Sequence, residues 1–334
     1  MNLSEAIRTV RWMIADTFRQ SLSTRLFWVT LAITAVCTLL CASVRVSGDP
    51  ESMRYEWEVP AILPQHEAEK IGTDKAKNDG VRIISGEMTL GFGAVKVPIG
   101  RSRDDSVRLL SVWLAGALAD TVGVLLALLW TAGFIPTFLE PQSATVLLAK
   151  PAPRWSILLG KYLGVVGFVA LQAFLFVGGT WSALGMATGV WNPNYWLAVP
   201  LLVLNFGIFF SVSTFLAVCS RSTVVAAFGT LLFWLLCWAM NFSHHRMLMF
   251  PNESLTPISR FLLDVGYWSF PKPLDLSSIF FDAMHAENFV SKVEEMRTLQ
   301  SAGKFSPEAS IATSVGFAAV VVGLSAYELE MTDY

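Results

Sequence analysis

Between Lys161 and Arg221 the chain carries no aspartate, glutamate, lysine or arginine. A soluble domain cannot hide so long an uncharged run, whereas the hydrocarbon of a bilayer demands one. Across all 334 residues 54% are hydrophobic and only 15% charged, against about 25% charged in an ordinary soluble domain. Backbone polar groups in lipid must be satisfied within the segment itself, so these runs read as helices. The fold class that follows is an all-α polytopic membrane protein. A net charge of -2 with no basic cluster gives no reason to expect nucleic acid as a partner.

Six apolar runs are long enough to cross a bilayer, at about residues 26–44, 109–138, 162–185, 197–218, 224–242 and 309–327. Ahead of them, Ser4 as N-cap with Ile7, Val10, Ile14 and Phe18 on one face predicts an amphipathic helix lying in the interface. Two longer polar segments, about 45–108 and 243–307, fall on one side of the membrane. The first ends in β-branched residues punctuated by Gly86, Gly91, Gly93 and Gly100, the pattern of a short hairpin or small sheet. In the second, Thr256 and Pro257 form an N-cap and N1 pair opening one helix, and a further helix is expected over about residues 275–300. Between the third and fourth runs, Trp191, Tyr195 and Trp196 look like an interfacial aromatic girdle. The four cysteines, Cys37, Cys41, Cys219 and Cys237, lie in or at the ends of apolar runs and read as packing or lipid-facing residues.

Short connections set the orientation. The N-terminal stretch carries Arg8, Arg11, Arg19 and Arg25, the central connection Lys150, Arg154 and Lys161, and the Ser220-Arg221-Ser222 turn one more arginine, whereas the link between spans three and four has none. By the positive-inside rule both termini face the cytoplasm.

The central connection, about residues 139–161, contains a helix-like stretch from Ala144 to Leu148 and then the corner Lys150-Pro151-Ala152-Pro153-Arg154. Proline ends a helix and extends the residue before it, so this piece reads as a stiff lever parallel to the membrane. An interfacial loop anchored to headgroups by its cations is the alternative. Glu140, the run Leu147-Leu148-Ala149-Lys150-Pro151, Arg154 and Gly160-Lys161 resemble the signature of ABC-transporter permeases of the type-2 exporter group, and within it the permeases of multicopper-enzyme maturation. That resemblance implies that Glu140, Lys150, Pro151, Arg154, Gly160 and Lys161 couple the chain to an ATPase. Gly160-Lys161 is followed by Tyr162 and lacks an upstream glycine, so it cannot cradle phosphate. The resemblance therefore implies a separate ABC ATPase subunit that binds the ATP, no cofactor on this chain, and a homodimer or a heterodimer with a related permease. The setting it implies is a bacterial inner membrane.

Asp120 is the one acidic residue inside a span. An ionisable group there costs about 2.5 to 3.5 kcal/mol on insertion scales, so it is a candidate for a substrate path. A structural role is the favoured alternative, either capping a neighbour such as Thr121 or lying near the outer boundary of this long span. His244, His245, Met247 and Met249 form an external cluster whose ligand types suit copper, yet residues at a span end are common interfacial material, and no metal site is assigned. HExxH, a GxSx nucleophile with an intramembrane histidine, and paired membrane aspartates are all absent from the sequence, which argues against an intramembrane enzyme. The competing reading to a permease is a membrane anchor that presents its two outer segments to partner proteins.

Overall fold

The computed structural model describes residues 3–48, 62–63, 82–83, 86–99, 103–139, 153–249, 256–286, 297, 300 and 306–331. Five helices among them are long and apolar enough to cross a membrane, and the bent pair Glu5–Ser23 and Phe27–Ala42 supplies a sixth candidate. The chain is an all-α polytopic membrane protein. It divides into two compact units, one of Met1–Thr30, Ala115–Phe174 and Leu197–Tyr334, the other of Leu31–Leu114 and Leu175–Trp196.

In the first unit, helix α1 (Leu3–Ser23) lies against the first half of the helix that begins at Arg154. In chain order the helices that follow α1 are α2 (Arg25–Ala42), α3 (Arg103–Val112), a π-helical stretch (Trp113–Gly123), α4 (Val124–Thr131), α5 (Phe134–Phe138), α6 (Arg154–Thr188), α7 (Ala198–Ser220), α8 (Thr223–Met249), α9 (Pro257–Ser269), α10 (Pro273–Ala283) and α11 (Pro307–Met331). Helix α6 starts where Pro153 stops blocking it, with the Ser156 hydroxyl donating to Pro153 O at 2.7 Å. The helix thus begins inside the stretch assigned to the polar connection, and Gly160 and Lys161 are helical.

What α1 buries differs from its bulky stripe. Ala6, Met13, Thr17 and Ser21 are its buried positions, whereas Ile7 is 61% exposed. The reason lies on the partner helix, where Gly160, Gly164 and Gly167 share a face. A Cβ at Gly160 would stand 2.7 Å from Met13 Cβ and 3.0 Å from Val10 Cα, and one at Gly164 would stand 2.7 Å from Thr17 Cβ. Backbones that approach this closely gain van der Waals contact without relying on the hydrophobic effect, which lipid removes. Phe168, fully buried, extends the seam with edge contacts to Phe18 and Trp130 at 5.7 and 5.5 Å.

Helix α7 is the hub of this unit. The most apolar window of Pro193–Ser220 is 78% buried, against 17–33% for the other four long helices, which leave their apolar faces to lipid. It ends at Arg221, held left-handed at φ +52 with its N–H donating to Ala217 O. That reversal delivers the chain directly into α8.

The second unit carries a three-stranded antiparallel sheet in the order β1-β4-β5, built from Arg45–Gly48, Gly86–Leu90 and Val95–Ile99. A separate parallel pair joins β2 (Ile62–Leu63) to β3 (Arg82–Ile83). Gly91 and Gly93, at φ +63 and +96, make the β4–β5 turn as the glycine punctuation predicts. Val46, Met88 and Leu90 pack on a small core of Cys41, Val44, Ala183 and Leu184. Tyr195 belongs to the interior and not to a girdle: it is 1% exposed, with its hydroxyl 3.0 Å from that of Thr180. Trp191 remains half exposed and packs on Trp181 at 4.7 Å.

Replacing Gly160 and Gly164 together by leucine would force α1 off α6, because the obstructing atoms are backbone or Cβ. We expect destabilisation of at least about 1–3 kcal/mol and new tryptic cleavage at Arg8, Arg11 and Arg19. An unchanged digestion pattern in mild detergent would contradict the seam.

Candidate functional site

Glu140, Lys150 and Pro151 lie outside the described residues, as does the helix-like stretch from Ala144 to Leu148. Arg154 stands at the first turn of α6, its guanidinium donating to Leu329 O of α11 at 3.4 Å. Gly160 is covered by α1. Lys161 is 3% exposed and its ammonium donates to Gln20 Oε1 of α1 at 2.5 Å. Neither of these two presents itself to an outside subunit. What the structure brings together here is the base of α6, the end of α11 and the helix α1.

The densest polar site was not anticipated. Helix α8 does not end at Phe242 but continues to Met249, so His244 and His245 are helical and buried, 5% and 2% exposed. They do not form an external cluster with Met247 and Met249. His245 Nε2 lies 3.0 Å from Asp275 Oδ1, which also accepts from Asn241 Nδ2 at 2.9 Å. Asp275 Oδ2 accepts from the Tyr267 hydroxyl at 2.7 Å and the Ser310 hydroxyl at 2.6 Å. A carboxylate offers about four lone-pair sites, and here all are met by donors from α8, α9 and α11. Asn241 returns the contact, its Oδ1 accepting from the Leu274 N–H at the start of α10. His244 stacks on Tyr267 with ring centroids 3.8 Å apart and reaches Asp264 at 3.2 Å.

Lys272 is also buried at 1% exposure, its ammonium donating to Thr313 Oγ1 at 2.6 Å and lying over the rings of Tyr267 and Trp268. Burial lowers this amine to about 8, against the opposing pull of the Asp275 charge. Burial alone would raise the Asp275 carboxyl, but the hydrogen bond and charge of His245, with Ser310 and Asn241, hold it below the ordinary carboxylate value. Among the described residues, no group of three or more His, Cys, Asp or Glu could hold a metal ion.

Helix α9 is capped as the sequence indicates, with Thr256 Oγ1 accepting from Ser259 N at 3.3 Å. Its stripe of Ile258, Phe261 and Leu262 is the exposed face, as for a helix lying on lipid, and Gly266 and Tyr267 are what it buries. Helix α10 stops at Ala283, well short of residue 300, because His285 adopts a left-handed conformation at φ +53.

Asp120 sits in the π-helical stretch, a form that often marks functional positions. Its partner is not Thr121. Asn205 Nδ2 of α7 lies 2.8 Å from Oδ1, and the Ser277 hydroxyl of α10 lies 2.5 Å from Oδ2. A cavity of about 10 Å³ adjoins it, lined by Ala115, Gly116, Leu201, Ser277 and Phe280 among others. Asp275 and Ser277 are neighbours on one short helix, so α10 holds the polar cage with one side and the carboxyl of the second span with another.

Compared with known families, residues 12–333 match the model described as "ABC-2 family transporter protein". No curated protein matches the chain.

Removing the buried carboxylate by Asp275→Ala leaves His245 and two hydroxyls facing an apolar gap, and we expect a loss of about 3–5 kcal/mol, read as a lower melting temperature in detergent. The pH dependence has a defined sign. Because the folded-state value of Asp275 is depressed, its contribution is present above about pH 4 and lost as pH falls through the lowered value. Lys272 acts the other way round: the folded protein sheds its proton first, so stability rises from about 8 towards the ordinary 10.5. A melting temperature flat from pH 3 to pH 6 in wild type would contradict the Asp275 assignment.

Proposed function

We propose that this chain, which belongs to the ABC-2 transporter family, is the membrane-spanning permease subunit of an ABC transporter, driven by an ATPase on a separate polypeptide. The observation that carries this is the family match from residue 12 to residue 333 in a sequence without a phosphate-binding loop. The chain performs no chemistry of its own. One chain with six spans is half of the usual membrane part, so it pairs with a second copy or a close relative. By the sequence signature we group it with the permeases of multicopper-enzyme maturation, in a bacterial inner membrane with both termini cytoplasmic. That grouping names no substrate.

The connection over residues 139–161, with Glu140, Lys150, Pro151 and Arg154, receives the ATPase. Gly160 and Lys161 take part through α1. A displacement of the connection moves the base of α6, which is welded to α1 by the glycine seam and tied to α11 by Arg154. Packed helices of this kind shift as rigid bodies, so a push at one loop is delivered to three helices together.

The test is to tag the chain, extract it gently and identify what co-purifies by mass spectrometry. We expect a stoichiometric ATPase with a Walker motif, lost when residues 150–154 are replaced by a Gly/Ser linker. Preparations free of any ATPase in several mild detergents would overturn the reading in favour of a membrane anchor.

A further inference from the structure

Two carboxyls meet α10, and their hydrogen bonds are not alike. Asp275 is surrounded by donors: Asn241, His245, Tyr267 and Ser310 all point hydrogens at it. Asp120 meets one amide and one hydroxyl, and the hydroxyl is short of hydrogens. The Ser277 hydroxyl lies 2.5 Å from Asp120 Oδ2 and 3.1 Å from Pro273 O. A hydroxyl has one hydrogen and cannot satisfy both. A proton on Asp120 resolves this, since the acid donates to Ser277 Oγ and Ser277 then donates to Pro273 O.

Asn205, 1% exposed, donates from Nδ2 to Asp120 Oδ1. That contact suits the carbonyl oxygen of an acid whose one proton sits on Oδ2, so a single proton accounts for both partners. Among the described residues that line the site, none supplies a countercharge. The cavity walls come from the π-helical stretch (Ala115, Gly116), from α7 (Ala198, Leu201, Leu202) and from α10 (Leu276, Ser277, Phe280), and none of these side chains is charged. At about 10 Å³ the cavity has room for about one water at most, too little to hydrate an ion. An ionised carboxylate left so in a span would carry a heavy desolvation cost.

We propose that Asp120 is a proton-binding site, a carboxylic acid at neutral pH that donates its proton from Oδ2 to Ser277 and accepts from Asn205 at Oδ1. The site opens to ionisation only when α10 or α7 moves these partners away. This goes beyond the permease reading and does not depend on it.

The test uses the full chain in lipid nanodiscs and a membrane-permeant carbodiimide, dicyclohexylcarbodiimide. The reagent consumes a neutral acid: the acid proton passes to a carbodiimide nitrogen, the carboxyl oxygen bonds to the central carbon, and rearrangement leaves a stable N-acylurea. Mass spectrometry should find the adduct on Asp120 at pH 7, at least tenfold above that on Asp275, and decreasing as pH rises. The carbonyl band of a neutral acid in the infrared spectrum should be present in wild type and lost in Asp120→Asn. The melting temperature of Asp120→Asn should match wild type, because the amide reproduces the neutral acid, whereas that of Asp275→Asn should fall. Absence of the adduct from Asp120 while Asp275 reacts would overturn the proposal. Protection by sodium or potassium at constant pH would overturn it too, in favour of a cation site.

Discussion

One ionised side chain, Asp275, holds four helices in a single arrangement. It is fully buried, and each of its oxygens accepts two hydrogens, supplied by α8, α9 and α11 while the carboxylate itself belongs to α10. Apolar contact between helices in lipid is nearly indifferent to which faces meet, because the tails are as apolar as leucine. A buried charge is not indifferent. Its desolvation costs several kcal/mol, which only this set of donors offsets. Rotating α8 by one residue would remove both Asn241 and His245 from the carboxylate. Lys272, buried beneath Tyr267 and Trp268 and tied to Thr313, adds a second constraint between the start of α10 and α11.

A different device fixes the other end of the first unit. There the contacts are small residues and backbone: Gly160 and Gly164 of α6 against Val10, Met13 and Thr17 of α1. Such a seam is rigid in separation, and the Lys161–Gln20 hydrogen bond adds a directional contact to it. Force entering at the base of α6 therefore moves α1 with it. Between the two devices runs α7, whose Asn205 contacts Asp120. The polar cage, the carboxyl of the second span and the glycine seam are thus linked through stiff helices.

The membrane class was legible because lipid imposes a simple rule, and the uncharged stretch from Lys161 to Arg221 obeys it. The cap at Thr256 and Pro257 and the hairpin at Gly91 and Gly93 were legible because local backbone chemistry decides them. The cage was not. His244 and His245 read as the polar exit of a span, since the carboxylate that keeps them inside comes from a segment far along the chain. The buried face of α1 was missed because periodicity weighs bulky residues, whereas a glycine-lined partner selects Ala6, Met13, Thr17 and Ser21. Asp120 stood out as a lone charge, but its partners Asn205 and Ser277 are uncharged and distant in sequence, so nothing local pointed to them. Gly160 and Lys161 were singled out for coupling by resemblance alone, and their geometry assigns them to the contact with α1.

The claim that Asp275 holds α8 to α11 as one block is tested most directly by amide hydrogen exchange on the intact chain in nanodiscs, comparing wild type with Asp275→Asn. Exchange reports local opening segment by segment. The account predicts that protection falls together in the C-terminal turns of α8, in α9, in α10 and in the N-terminal turns of α11, while the α1–α6 seam is unchanged. A loss of protection confined to α10 would contradict it, and would mean that lipid and apolar packing alone hold the other three helices in place.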